Sequence, residues 1–426
     1  MTWPFFIAVS FSLCWMLSPE VLVRLGNGIA ETRTLFLAAI AISALISALA
    51  VSLIRHPRLR NNGNCSQTGL LIEGLGKLPA MTIILACRIS LVLLIPTGLL
   101  VTGGFAFNEI FLYWFPNFGF AFVLLAIVCL LHLAGERFAR MAQPLFLVVV
   151  LLSIAILCLA GLGGSASSTP ISVDVGFTFS LPVLAGSLMF FLGFDFATPD
   201  QENDSRVPAL AAVFFCFFLL LFWSMLSLQY VDAEKLAQST IPYMLTAREI
   251  LGEPGRYLMG AAIISGVCAA VNGFFLLALT ALADLSKRNL LPGHPPGKLK
   301  RRRFVVLLSV IIGAFLMGGL AGHDILETYI QASLILWLLF IGLLCIAASK
   351  ILYEVSASGI RRGLVLGSIY SISALYLIIA NEQSALIIRF LLSIIAASAG
   401  LSAFWLWKRP AYEITYPTVK KTGGQS

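Results

Sequence analysis

Long apolar runs separated by short polar segments dominate this chain. Each run is about as long as the 20 residues that an α-helix needs to cross the hydrocarbon core of a bilayer. Charged and turn-forming residues bound the runs and mark where each helix begins and ends. The pattern predicts twelve membrane-spanning helices, near residues 3–25, 34–55, 80–103, 119–135, 143–163, 182–200, 207–229, 257–284, 304–322, 327–349, 363–381 and 385–407.

The composition supports this interpretation. Of the 426 residues, 59% are hydrophobic and 11% are charged, whereas an ordinary soluble domain carries about 25% charged residues. The polar segments between the runs are too short to form a soluble domain. We therefore predict an all-α membrane protein, with residues 409–426 as a cytoplasmic tail.

Lysine and arginine are concentrated in alternate loops. One set of loops, together with the tail, carries 21 of these residues, the opposite set carries 5, and 2 lie inside spans. By the positive-inside rule, both termini face the cytoplasm, and the short termini favour a prokaryotic inner membrane. The same asymmetry explains the net charge of +8 without nucleic acid, and the basic run at 298–303 indicates contact with membrane lipid.

Two spans look broken. The first reads "FSLCWMLSPEVLVRLGNG", with Pro19 and Glu20 inside the apolar run, and the sixth reads "GSLMFFLGFDFATPDQEN", with Gly193, Asp195 and Pro199 close together. A broken helix is tolerated in a bilayer only where it is buried or lines a cavity. Because the two breaks are five spans apart, they are typical of an inverted repeat with its substrate site near the bilayer midplane.

Three stretches resemble the amino acid–polyamine–organocation (APC) transporter superfamily. The segment "FFLGFDFATPDQENDSRVPAL" is similar to the sixth helix of that family. Residues 258–292 resemble its eighth helix and the basic loop that follows, and residues 135–162 resemble its fifth helix with the preceding loop.

This resemblance implies the LeuT-type fold. Residues 1–350 would form a core of ten spans, built from inverted repeats at about 1–163 and 176–350, and residues 351–408 would add two further spans. The implied function is secondary active transport of a small amino acid, amine or related organic solute by alternating access. The expected partners are the small-molecule substrate, a coupling ion or counter-substrate, and membrane lipid, with no nucleic acid.

The chain departs from the family pattern at positions that bear on recognition. The family's glycine-rich pentad at the unwound point of the first helix falls on residues 12–16, where Ser12 and Cys14 replace both glycines. The fifth span lacks the lysine of some proton-coupled members. The eighth span offers Ala269, Ala270 and Asn272 where sodium-coupled members carry hydroxyls. The coupling ion is therefore left open.

The broken spans and the spans facing them supply the candidate site residues. The predicted substrate-binding residues are Ser12, Cys14, Trp15, Phe191, Gly193, Phe194, Asp195 and Asn272, and the predicted coupling or gating residues are Asp195, Arg88 and Glu20. A charge at a helix centre costs about 2.5–3.5 kcal/mol when it faces lipid, so Asp195 should face the bundle interior.

Each charged or polar candidate has an alternative role. Asp195 could be a structural counter-charge for an arginine, and Arg88 could either be that arginine or contact an anionic substrate group. Asn272 could form an interhelical hydrogen bond, and Glu20 could be solvated at the outer mouth. Two further polar residues at span ends, His132 and Arg389, are expected to extend towards the headgroups.

The sequence contains no motif of an enzyme. Metalloprotease, hydrolase and phosphate-binding patterns are absent, and no clustered acids or histidines lie within spans, so we expect no catalytic activity, metal or cofactor. The alternative to transport is a non-transporting membrane receptor or accessory subunit with the same fold, which the lost glycines favour.

Overall fold

The computed structural model describes residues 3–56, 59, 66–164, 181–196, 206–290, 298–318, 324–352 and 357–408. Every regular element in these ranges is a helix. Nine of the described helices are long and apolar enough to cross a membrane, and one bent helix pair makes a tenth candidate span. This is the architecture of an integral membrane protein, as the apolar runs predicted.

The helices of the first half occur in a regular order. They are α1 (Trp3–Met16), α2 (Pro19–Thr32), α3 (Thr34–Ile54), α4 (Gln67–Leu75), α5 (Lys77–Ile110), α6 (Asn117–Ala134) and α7 (Glu136–Gly163). The bent pair consists of α1 and α2, which meet at 53°. The short helix α4 separates the second long helix from the third.

The second half follows a similar order and then adds two helices. They are α8 (Leu181–Leu188), α9 (Arg206–Tyr230), α10 (Ala233–Ala237), α11 (Pro242–Leu251), α12 (Glu253–Lys287), α13 (Lys298–Met317), α14 (Asp324–Leu352), α15 (Ala357–Ile379) and α16 (Ser384–Trp407). A 3₁₀ turn, Met189–Phe191, continues α8. Two predicted spans fall outside the ten candidates: α8 is short in the described range, and α13 begins with a basic turn.

The two halves match in helix length and in contacts. The third, fourth and fifth long helices have 34, 18 and 28 residues in the first half, and their counterparts have 35, 20 and 29. Helix α1 contacts α9 just as α8 contacts α3, and α7 contacts α12 just as α14 contacts α5. The short helix α4 contacts α5 and α14, and α11 correspondingly contacts α12 and α7.

Contacts between helix ends gather most of the basic residues at one end of the bundle. There Arg288 Nη2 donates to Ser66 Oγ at 2.8 Å, and Lys350 Nζ donates to the Gly74 carbonyl at 3.0 Å. Arg301 also pairs with Glu136 at this end. We call it the basic end; the opposite end holds α2, α10 and α11. The contacts therefore group the loops as the charge pattern predicted.

The break in the first span lies later than the family pattern implies. Residues 12–16 are helical, and the helix ends after Met16. Pro19 occupies the first turn of α2, and Ser18 Oγ accepts a hydrogen bond from the Val21 backbone N–H at 3.5 Å. Residues 12–16 contain no glycine, so nothing there favours unwinding. The Pro19 ring, by contrast, would clash with a helical Trp15 carbonyl.

Candidate functional site

The bent pair α1–α2 and the non-helical segment that follows α8 meet inside the bundle. Trp15 of α1 donates its indole N–H to the Met189 carbonyl at 3.0 Å, where α8 gives way to the 3₁₀ turn. Two residues after the turn, Gly193 has φ +110°, and a Cβ on it would lie 2.7 Å from the Ser12 carbonyl oxygen. Both the backbone angle and the close approach of α1 therefore require glycine at this position.

Asp195 lies inside the bundle, 5% exposed, and both of its carboxylate oxygens are hydrogen-bonded. Arg88 Nη2 on α5 donates to Oδ2 at 2.9 Å, and Trp337 Nε1 on α14 donates to Oδ1 at 3.2 Å. The alternative role of Asp195 as partner of an arginine is thus present in the structure. Asp195 therefore links the segment that follows α8 to helices α5 and α14.

Two further side chains hold the broken segment from the basic end. Gln67 Nε2 donates to the Asp195 carbonyl at 2.7 Å, and Arg55 Nη2 donates to the Phe194 carbonyl at 3.0 Å. Gln67 Oε1 also accepts from Arg88 Nη2 at 2.6 Å. We call Arg55 and Gln67 the latch. Phe194 and Asp195 lie outside the described helices, and the latch supplies hydrogen-bond donors for their carbonyls in a low-dielectric interior.

The Arg88 guanidinium is only partly satisfied by the protein. Its Cζ lies 4.8 Å from the Phe340 ring centroid and 6.0 Å from that of Phe196. Its Nη1 is buried and has no hydrogen-bond partner among the described residues, and the same holds for Ser12 Oγ on α1. Buried donors of this kind are normally satisfied, so these two atoms identify places where a ligand group or water could bind.

Aromatic side chains enclose this polar cluster. Trp15, Phe191 and Phe194 are each no more than 1% exposed. The Phe194 ring lies edge-on to Trp337 at 5.7 Å between centroids, and Trp15 lies edge-on to Phe274 at 6.3 Å. These predicted residues therefore come together around the break, in a conformation that closes them off from solvent.

Asn272 belongs to a second polar cluster on α12. Its Nδ2 donates to the Ala139 carbonyl at 2.9 Å and to Gln143 Oε1 at 2.6 Å. Gln143 Nε2 donates in turn to the Ser10 and Ala269 carbonyls, at 3.3 and 3.1 Å. Asn272 thus makes the interhelical hydrogen bonds of its alternative role.

Cys14 faces this second cluster rather than Asp195. A Cβ on Gly273 would lie 2.5 Å from Cys14 Sγ, so the thiol packs against α12. Its burial is nearly complete. The first broken span therefore contributes to both clusters, with Cys14 on the α12 side and Ser12 and Trp15 on the side of the second break.

Two other residues lie elsewhere. Glu20, in the first turn of α2, accepts from Arg24 Nε at 2.8 Å and has no contact with the Arg88–Asp195 pair.

His132 is 2% exposed and its ring lies 5.3 Å from that of Phe275, so the expectation that it extends to the headgroups is wrong. The last turn of α6 packs against α12 there, which covers the imidazole. Arg389 is exposed on α16, and its extension to the headgroups stays a prediction. Pro199 and the rest of the predicted sixth span after residue 196 lie outside the described residues.

Sequence reasoning missed three polar residues of these clusters. Gln143 precedes Pro144 in an apolar run, and a lone amide there is a signal that could have been used. Trp337 is likewise the one indole in "SLILWLLF", and a buried indole N–H needs an acceptor. Gln67 gives no such signal, because it lies in a polar loop and reaches the site only through the placement of α4.

Comparison with known proteins adds no assignment to this geometry. No protein-family model matches the chain, and no curated protein matches it. The functional interpretation therefore depends on the broken spans, the buried charge pair and the matching halves of the fold.

Proposed function

We propose that this protein is a secondary transporter that moves a small amino acid, amine or related organic solute across the membrane by alternating access. The observation that carries the proposal is the buried Arg88–Asp195 pair at the break of the sixth span, in contact with the first broken span. Ionisable residues within membrane segments are expensive, and they commonly mark substrate or ion pathways.

The matching halves support an inverted repeat of the LeuT type. Each half would have five crossings, and an odd number of crossings leaves the second half upside down relative to the first. Equal helix lengths and paired contacts are what a pseudo-twofold axis in the membrane plane would produce. In such folds the substrate site lies where the two broken helices meet, which here is where Trp15 contacts Met189 and Ser12 approaches Gly193.

The charge pair favours a zwitterion within the proposed substrate class. Without ligand, Arg88 and Asp195 neutralise each other, which avoids an unpaired buried charge. A substrate that carries both an amine and a carboxylate could replace both partners at once, with the amine on Asp195 and the carboxylate on Arg88. A ligand with one charge would leave the other residue unpaired, so an amino acid fits better than a simple amine.

In this proposal the latch is the gate that closes the substrate site on the side of the basic end. Arg55 and Gln67 hold the carbonyls of Phe194 and Asp195 from the basic end, and both bonds would have to open for release on that side. The same residues would hold the site closed while the opposite end opens. In the conformation open to the basic end, the carbonyls of Phe194 and Asp195 would bond to donors other than Arg55 and Gln67.

Ligand-dependent thermal stability of the purified protein tests the binding step. Amino acids, amines and small organic acids are screened in detergent, since a ligand at 100 times its Kd stabilises the folded state by about 2.7 kcal/mol. A zwitterion should raise the melting temperature of the wild type and of Asp232→Asn, a control that removes an exposed acid. The same ligand should have no effect on Asp195→Asn. Stabilisation by anions alone would make the zwitterion assignment wrong.

One observation favours the receptor or accessory-subunit alternative. Residues 12–16 are a continuous helix, whereas a glycine-rich segment there would bend readily. Counterflow in proteoliposomes separates the two functions: a transporter accumulates labelled solute against unlabelled internal solute, and a receptor binds the solute without exchange. Binding without counterflow would contradict transport and leave the receptor function standing.

A further inference from the structure

A groove of about 590 Å³ opens at the basic end, between α3, α9, α14 and α15. Arg206, Arg361, Arg362 and His56 lie at one part of its lining. Apolar side chains form most of the rest. The groove is separate from the Arg88–Asp195 cluster, since none of its lining residues belongs to that cluster.

The polar part of the groove is basic. Three arginines are among the described residues that line it, and none of those described residues is acidic. Arg361 and Arg362 are exposed and form no ion pair with any residue that the structure describes. Guanidinium groups match phosphate oxygens in geometry and charge, so this part of the groove suits an anionic phosphate group.

The apolar part runs along two helices towards the middle of the bundle. Ile46, Leu49 and Leu53 recur at helical spacing on α3, and Val365, Leu366 and Ile369 do so on α15. Leu49 is 47% exposed and Val365 is 52% exposed, so this wall is open to its surroundings. From Arg362 to Ile369 the wall rises about 10 Å along the helix axis at 1.5 Å per residue.

We propose that this groove binds an anionic phospholipid of the surrounding bilayer. The headgroup phosphate would contact Arg361 and Arg362, and an acyl chain would lie along the wall formed by α3 and α15. A soluble anion would use only the basic part and leave the apolar wall uncovered. Basic pockets between spans at the cytoplasmic end are the kind of site that such headgroups occupy. The proposal does not depend on the transport function.

Position gives this site a means of influencing the latch. His56 lines the groove and directly follows Arg55, whose guanidinium holds the Phe194 carbonyl. A lipid bound against the end of α3 would restrict the motion of that end and of Arg55, which holds the Phe194 carbonyl.

Native mass spectrometry of the full chain tests the site. The protein in detergent is mixed with equal amounts of palmitoyl-oleoyl phosphatidylglycerol and phosphatidylcholine. The wild type should retain phosphatidylglycerol preferentially. Arg361→Gln/Arg362→Gln should weaken that binding about 30-fold, since each arginine near a membrane surface contributes a factor of about 5. Arg302→Gln/Arg303→Gln removes two exposed arginines from the same end outside the groove, and it should bind like the wild type.

Two further measurements separate the lipid from other anions. Val365→Trp fills the apolar wall while keeping all the arginines, and it should also reduce phosphatidylglycerol binding. Glycerol 3-phosphate at the same concentration should not compete. Equal losses in both double variants, unchanged binding in Val365→Trp, or full competition by glycerol 3-phosphate would each overturn the proposal.

Discussion

The pairing of Arg88 with Asp195 decides how single residues in the site behave. In a low-dielectric interior, the attraction between two charges offsets their loss of hydration only when both are present. The pair is 2.9 Å apart and almost fully buried, with Trp337 and Gln67 as additional partners. Removing one charge of the pair therefore lowers the free energy of unfolding more than removing both charges does.

The first prediction compares the single and double neutral variants. Arg88→Gln or Asp195→Asn alone should lower the free energy of unfolding by about 3–5 kcal/mol, because each leaves one uncompensated buried charge. The double variant should be more stable than either single variant. Thermal unfolding in detergent, followed by size-exclusion recovery, measures the order. A double variant that is as unstable as the sum of the singles would contradict a mutually compensating pair.

The second prediction concerns the two glycines of the sixth span. Gly193→Ala should destabilise the protein by about 1–3 kcal/mol, because it forces an alanine to φ +110° and against the Ser12 carbonyl. Gly186→Ala in α8 is the matched control, since a Cβ there meets nothing within 4 Å. It should be neutral or slightly stabilising. Equal melting temperatures for the two variants would show that the close approach is unimportant.

The sequence identifies the buried charge pair of the site but not its supporting partners. Asp195 and Arg88 stand out because charges within apolar runs are rare. Gln67 and Arg55 do not stand out, because polar residues are ordinary in a loop. Their part in the site follows from where α4 and the end of α3 lie in three dimensions, which no local pattern encodes.

At the scale of helices, Gln143 joins three elements through one amide. It lies on α7, donates to the Ser10 carbonyl of α1 and the Ala269 carbonyl of α12, and accepts from Asn272. Inside a bilayer such bonds replace the hydrophobic effect as a source of specific helix pairing. The first broken span is thereby held against the two longest helices that surround it.

The third prediction tests this junction. Gln143→Leu keeps the side-chain size but removes every one of these bonds, and it should destabilise the protein by about 1–2 kcal/mol, at roughly 0.6 kcal/mol per bond. Gln238→Leu changes an exposed glutamine immediately after α10 and serves as the control. Unfolding of both variants in detergent gives the comparison. If Gln143→Leu is as stable as Gln238→Leu, the hydrogen bonds of Gln143 do not contribute to the stability of the fold.

Hydrophobic patterning predicts the helices better than it predicts the breaks. Ten candidate spans agree with the apolar runs because length and hydropathy are local properties. The break in the first span was predicted at Pro19 and Glu20, and the helix does end shortly before Pro19, where backbone sterics dictate it. Only the family's glycine pentad points earlier, to residues 12–16, and those residues are helical.

The whole molecule has an uneven distribution of charge that fixes its predicted orientation. The fourth prediction uses reporter fusions. Green fluorescent protein fused after Ser426 should fluoresce, because the positive-inside rule predicts that the basic end faces the cytoplasm. Alkaline phosphatase fused after Gly252, between α11 and α12 at the opposite end, should be active. Phosphatase activity at the C-terminus, or its absence after Gly252, would reverse the assignment.

The separation of the charge pair along the chain has a consequence for biosynthesis. Asp195 follows Arg88 by 107 residues, which a ribosome adds in roughly 5–20 s at about 5–20 residues per second. Arg88 is therefore synthesised well before the carboxylate that neutralises it. Gln67, made 21 residues before Arg88, is the one described hydrogen-bonding partner already synthesised. The Gln67 amide, which holds the Asp195 carbonyl in the folded protein, is therefore available to Arg88 as a hydrogen-bond acceptor before Asp195 is made.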